Sequence, residues 1–155
     1  MPEIHEIRAL LAPIEGGGVL LPGSMVAEVI DFSEPEAFSR GPDWLLGELR
    51  WNGWQVPVVD FAQLAGTGDA TANLDRARVV VVKTHSETAS VNLVGFLING
   101  LPRMRNITTG NLVEDDSQHE PVGGVFSRVT VDDNAAIIPD LDTLASDIEA
   151  AVYTR

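Results

Sequence analysis

The stretch from Trp51 to Gly66, WNGWQVPVVDFAQLAG, decides how the rest of the chain is read. Asn52-Gly53 is the favoured pair for a two-residue hairpin turn, because both positions take positive φ. An apolar stretch, Trp44 to Leu49, precedes it, and Trp54 to Val59 follows. The sequence therefore predicts a β-hairpin with Trp51 and Trp54 bracketing its turn. Pro57 sits inside the returning strand. It has no amide hydrogen, so it fits only where the ladder needs no donor, at an edge or a bulge. Asp60 then ends the strand and caps one helical turn over Phe61 to Leu64.

Toward the N-terminus, Ile4 to Ala12 reads as a strand or short helix, ended by Pro13 and the run Gly16-Gly17-Gly18. Val19 to Pro22 is a short strand, and the β-branched Val26, Val29 and Ile30 favour strand for Met25 to Ile30. Ser33 to Asp43 is loop by its prolines and glycine. Toward the C-terminus, Gly66 to Asn73 is a small, polar break near the midpoint. Val79 to Val82, four valines in succession, fit a strand buried on both faces. His85 to Ser90 is a turn. Val91 to Ile98 is a strand with Gly95 at a bulge or close approach, continued over Leu101 to Ile107. Thr108 to Gly124 is a long acidic loop. Val125 to Val131 alternates, with Val125, Ser127, Val129 and Val131 on one parity and Phe126, Arg128 and Thr130 on the other. Asp132-Asp133-Asn134 turns the chain into a strand over Ala135 to Ile138. Pro139-Asp140 starts a helix whose apolar face carries Leu141, Leu144, Ala145, Ile148, Ala151 and Val152. Each half reaches an apolar–Pro–acid step, Val56 to Asp60 and Ile137 to Asp140, which hints at two similar units. The reading is one domain, 1–155, with approximate halves 15–66 and 77–140 and a helix over 140–153.

The formal net charge of −13 repels phosphate backbones and anionic lipid, so nucleic acid is not an expected partner. No apolar stretch is long enough to span a bilayer, and the N-terminus has no basic leader, so a cytoplasmic protein without membrane insertion is expected. The chain has no cysteine, which removes disulfides, thiolate nucleophiles and cysteine zinc sites. His5, His85 and His119 are scattered, without metal-ligand spacing. No phosphate loop or nucleophile elbow is present. The acids Asp115-Asp116, Asp132-Asp133 and Asp140/Asp142 do not match a calcium loop and read as solvated turns. No catalytic residue, cofactor or metal is expected.

Gly47, Asn52-Gly53 and Pro57-Val58-Val59-Asp60-Phe61 together resemble the signature segment of the CheW-like family, coupling proteins of bacterial chemosensory arrays. Leu20-Leu21-Pro22 with Val26 to Ile30, Val94 to Ile98, and Ala136 to Asp142 are similar to its other strands. The wording LLP…VAEVI resembles the ChpC-like branch of type IV pilus chemosensory systems, which act in twitching motility. The resemblance implies a mainly β fold: two small five-stranded SH3-like β-barrels sharing a hydrophobic core, with a C-terminal helix. It implies a non-catalytic adaptor that couples the cytoplasmic tip of chemoreceptors to the regulatory domain of a CheA-type histidine kinase. Carried over by position, Val26, Glu28, Val29, Gly47, Asn52, Gly53, Pro57 and Asp60 are its protein-binding residues. Val26 and Val29 would line a groove between the barrels that takes a receptor's helical hairpin. Asn52 stands where the family usually has arginine, and Asn99 where it commonly has aspartate; Arg50, Arg103 or Arg105 would then supply the positive charge. The alternatives are a generic protein-binding β-barrel module outside chemotaxis and a hydrolase built on the clustered acids.

Overall fold

The computed structural model describes residues 6–69, 71, 73–86, 89–115 and 121–153. His5, His119, Asp116 and the 116–120 part of the acidic loop lie outside the described residues. The strands are β1 (Ile7–Ile14), β2 (Gly17–Pro22), β3 (Val26–Asp31), β4 (Leu45–Trp51), β5 (Trp54–Val59), β6 (Arg78–Lys83), β7 (Leu93–Ile98), β8 (Arg103–Ile107), β9 (Leu112–Glu114), β10 (Val125–Val131) and β11 (Asn134–Pro139). Helix α1 (Phe61–Ala65) follows β5. Helix α2 (Leu141–Ile148) follows β11 and runs on as a π-helical turn, Glu149–Tyr153.

The hairpin forms as its turn residues require. Asn52 has φ 48° and Gly53 φ 81°, and Trp51 stands opposite Trp54. Asp60 accepts a hydrogen bond from the Gln63 amide at 3.2 Å and so satisfies one free N–H of α1. Asp140 does the same for Thr143 at 3.1 Å. Pro139 is the last residue of β11 rather than the first of the helix. Pro13 does not end β1 either, because β8 pairs only with Ile7 to Leu11 and leaves no ladder bond for Pro13 to donate on that side.

One sheet has the order β8-β1-β2-β11-β10-β9 and the other β3-β6-β7-β5-β4. The chain is thus not divided at its midpoint. The second sheet is built from one continuous stretch, while the first borrows β1 and β2 from the N-terminal end. The first sheet also has six strands rather than five, because β9 adds to β10 from within the acidic loop.

The repeated apolar–Pro–acid step marks a true structural repeat. The hairpins β4–β5 and β10–β11 each carry a bulge near their start, at Leu45/Gly47 and Val125/Ser127. Each turns on two positive-φ residues, Asn52-Gly53 and Asp132-Asp133. Each return strand then pairs in parallel with a central strand, β5 with β7 and β11 with β2. The capping aspartate amides are held alike, Asp60 by the Trp44 carbonyl at 2.7 Å and Asp140 by the Gly124 carbonyl at 2.8 Å.

Side-chain alternation explains the core. Along β6, Val79 packs inside the second sheet with Leu49, Val58 and Leu97, while Val80 and Val82 face a cluster shared with β1, β2, α1 and α2. Both faces are therefore apolar, as four valines in a row require. Ile30 and Phe32 join the same interior group as Leu46 and Leu49. The sheet must curl for these residues, from its opposite edges, to meet, and this makes it an SH3-like barrel. A second interior group, with Ala9, Leu20, Ile107, Val129 and Ala136, fills the curl of the first sheet. Gly95 needs no bulge: a Cβ there would lie 2.8 Å from Val79 Cγ1 and 3.4 Å from Val58 Cγ2, so its role is close approach.

Candidate protein-interaction site

The predicted site residues sort into three environments. Asp60 is fully buried and presents nothing to a partner; it caps α1. Gly47 lies at the β4 bulge with φ +146°, and its backbone runs against that of Glu36. Val26, Glu28 and Val29 lie on β3, an edge strand. Val26 and Val29 are half-buried against the shared core, while Glu28 is exposed. The Glu28 carboxylate accepts a hydrogen bond from the Trp51 indole N–H. This contact joins β3 to the tip of the β4–β5 hairpin and so places Asn52 and Gly53 beside it.

Gly53 and Pro57 open onto a groove of about 410 Å³, together with Arg50, Trp54 and Leu93. The groove exists because β5 pairs with β7 only at Val58 and Val59. Before that point the strands separate, so Pro57 occupies a stretch with no partner on that side and its missing N–H costs nothing. Trp54 is 58% exposed. Arg50, two residues before Asn52, supplies the groove with a guanidinium. Arg103 and Arg105 lie elsewhere, on β8 of the other sheet.

The C-terminal turn forms one wall. Tyr153 donates from its hydroxyl to Glu48 at 2.7 Å and packs edge-on against Phe38. Burial, and then the hydrogen bond and charge of Glu48, push the phenol pKa upward. Glu149 accepts from the amide and hydroxyl of Ser90, and these bonds hold its carboxyl below the usual range. Sequence reasoning missed Trp54 and Tyr153 as surface-forming residues. The signal for Trp54 was its place directly after the turn, at the tip of the hairpin. Phe126, at the β10 bulge, is 72% exposed; its parity opposite Val129 and Val131 was readable, but its bulge was not.

Among the described residues no group of three His, Asp or Glu side chains converges to hold a metal. Asp132 and Asp133 form a turn, Asp140 caps a helix, and Asp142 accepts from Ser86 at 2.6 Å. Among the described residues these acids serve separate local structures. No helix among the described residues is long and apolar enough to cross a membrane.

The structure is similar to that of the scaffolding protein TtCheW from Thermoanaerobacter tengcongensis, with a TM-score of 0.69 at 15% identity, over 87% of this chain and 89% of that one. No curated protein matches the sequence. The CheW-like domain matches residues 8–149. Members of that family are non-catalytic scaffold proteins. The match takes in all but the ends of the chain, and the chain belongs to the CheW-like domain family.

Proposed function

We propose that the chain is a chemosensory adaptor that holds the regulatory domain of a CheA-type histidine kinase next to the cytoplasmic tip of a chemoreceptor. The observation that carries this reading is the β4–β5 rim, where the exposed Trp54, Arg50 and Gly53 share one groove. Exposed aromatic and arginine side chains are the types that anchor protein interfaces. In this reading the rim takes the kinase domain, and the half-buried Val26 and Val29 on β3 take an apolar stripe of the receptor. Asn52 keeps the turn, and Arg50 supplies the charge that an arginine at the turn would bring. Gly47 and Asp60 act on the same surface indirectly, by fixing the two ends of the hairpin. The protein works in the cytoplasm, and its output is chemotaxis or, on the ChpC-like branch, pilus-based twitching.

The test is capture from a lysate of the protein's own host, using wild-type protein, R50E and W54A. Recovery of a CheA-type kinase or a chemoreceptor with wild type, reduced at raised salt and lost with R50E, is the expected result. Recovery of neither, from cells that express both, would move the reading to a generic protein-binding module.

A further inference from the structure

Among the described residues the barrel formed by the first sheet is open at one end, and the opening is basic. Arg105 stands opposite Ala9 and Arg103 opposite Leu11 in the β1–β8 ladder. Directly paired residues share a face of the sheet, and Ala9 and Leu11 belong to the barrel's interior group. Both arginine stems therefore start on the interior face. In the second barrel the structurally equivalent place opposite Val79 holds Ile30, which packs into an apolar interior. The first barrel thus carries a guanidinium where its repeat carries a hydrocarbon.

The opening has a volume of about 450 Å³ and is lined by Leu11, Pro13, Leu101, Asn134 and the two arginines. Gly18, opposite Pro13, adds no side chain to the lining. No carboxylate is among the described lining residues, although the protein as a whole carries −13; Asp132 and Asp133 lie in the adjoining turn. Arg105 Nε is buried and has no hydrogen-bond partner among the described residues. A buried donor left unpaired is rare and unfavourable, and it marks a place where a partner group belongs.

We propose that this mouth is a binding site for the carboxylate of an acidic protein segment flanked by apolar residues. Guanidinium groups bind carboxylates with paired, charge-assisted hydrogen bonds. The apolar walls, with Leu101 70% exposed, suit flanking hydrocarbon. The net negative charge of the protein disfavours a long polyanion. The site lies on a different sheet from the Trp54 groove and stands independently of the kinase and receptor reading.

The test is an NMR titration of the ¹⁵N-labelled full chain, following the Arg105 Nε–H signal, which R105K removes and so assigns. The probes are a capped peptide with two glutamates between leucines, the same peptide with glutamines, and inorganic phosphate. A saturable shift with the glutamate peptide is expected, weakened about tenfold or more by glutamine and by R105K, and unchanged in R50Q. R103Q, at the exposed rim, provides the second variant if R105K does not fold. No saturable shift, an equal response to the glutamine peptide, unaltered binding in the mouth variants, or phosphate binding as tightly as the peptide would each overturn the proposal. The titration contains no kinase or receptor, so its result leaves the coupling reading to its own test.

Discussion

Replacing Gly47 with alanine should unfold the protein far more readily than the same change at Gly53, although both glycines have positive φ in one hairpin. A Cβ on Gly47 would lie 2.3 Å from the Glu36 carbonyl oxygen. That oxygen accepts from the Glu48 amide at 2.9 Å, and the Glu36 amide donates to the Glu48 carbonyl at 2.9 Å. No side-chain rotation relieves a contact with backbone, so the Glu36 segment must withdraw and both bonds are lost. Two backbone bonds contribute about 1–3 kcal/mol, and an alanine held at φ +146° adds strain of about 1–3 kcal/mol. The sum is about 2–6 kcal/mol. At Gly53 nothing lies within 4 Å of the added Cβ, so only the left-handed backbone is strained, at about 1–2 kcal/mol. Urea unfolding followed by tryptophan fluorescence should show the G47A midpoint well below that of G53A with an unchanged slope. A G47A loss of about 1 kcal/mol or less would refute the reasoning. The comparison also separates packing from docking. Folded G47A should still bind partners, and a folded G47A that binds nothing would show that the glycine acts at the interface itself.

The two caps should behave as equivalents: D60A and D140A should each lower stability by about 1–2 kcal/mol, read from urea midpoints, with D60A at the upper end because Asp60 is fully buried. Tyr153 is the sole tyrosine, so alkaline titration of tyrosinate absorbance reads it alone. Its folded pKa is raised, so the stabilisation from the neutral phenol is complete below the unfolded value near 10 and is lost as pH rises through the folded pKa. Ionisation in the folded protein near the free-tyrosine value would refute the Glu48 contact and the burial. Glu149, held low by Ser90, should titrate closer to an ordinary glutamate in S90A, as read from its carboxyl carbon shift in NMR. G95A should lower stability measurably, because the added methyl meets Val79 at 2.8 Å and the interior must give way; an unchanged urea midpoint would show that β6 and β7 do not approach as closely as described.

The parts of this fold legible in the sequence were those set by neighbours along the chain. The Asn52-Gly53 turn, the Asp60 and Asp140 caps and the doubly buried valine strand each follow from a few adjacent residues. The strand partners did not. The apolar–Pro–acid steps hint at two similar units, but nothing local says that β1 and β2 complete the later one. The same limit governs the site. Gly47 enters as a contact position through the resemblance alone; its packing against Glu36 rests on a bridge between Glu36 and Glu48, residues that no sequence pattern links. Arg105 reads as a surface charge until its pairing with Ala9 turns it inward. The Trp54 groove could be seen only once β5 was found to part from β7 before Val58.

The borrowing of β1 and β2 by the first barrel also has a consequence in time. The second barrel lies within a continuous run of chain from Val26 to Ile98 and can close through contacts of modest sequence separation. The first barrel needs β1 and β2 to meet β8 and β11 across that whole span. Its loop-closure entropy falls sharply once the intervening chain has folded into a compact body that brings Pro22 and Arg103 toward each other. The later barrel should therefore form on the earlier one as a template, slowly if alone and quickly if second. Mutations inside the second barrel would then slow the folding of both, while those inside the first would chiefly hasten its unfolding.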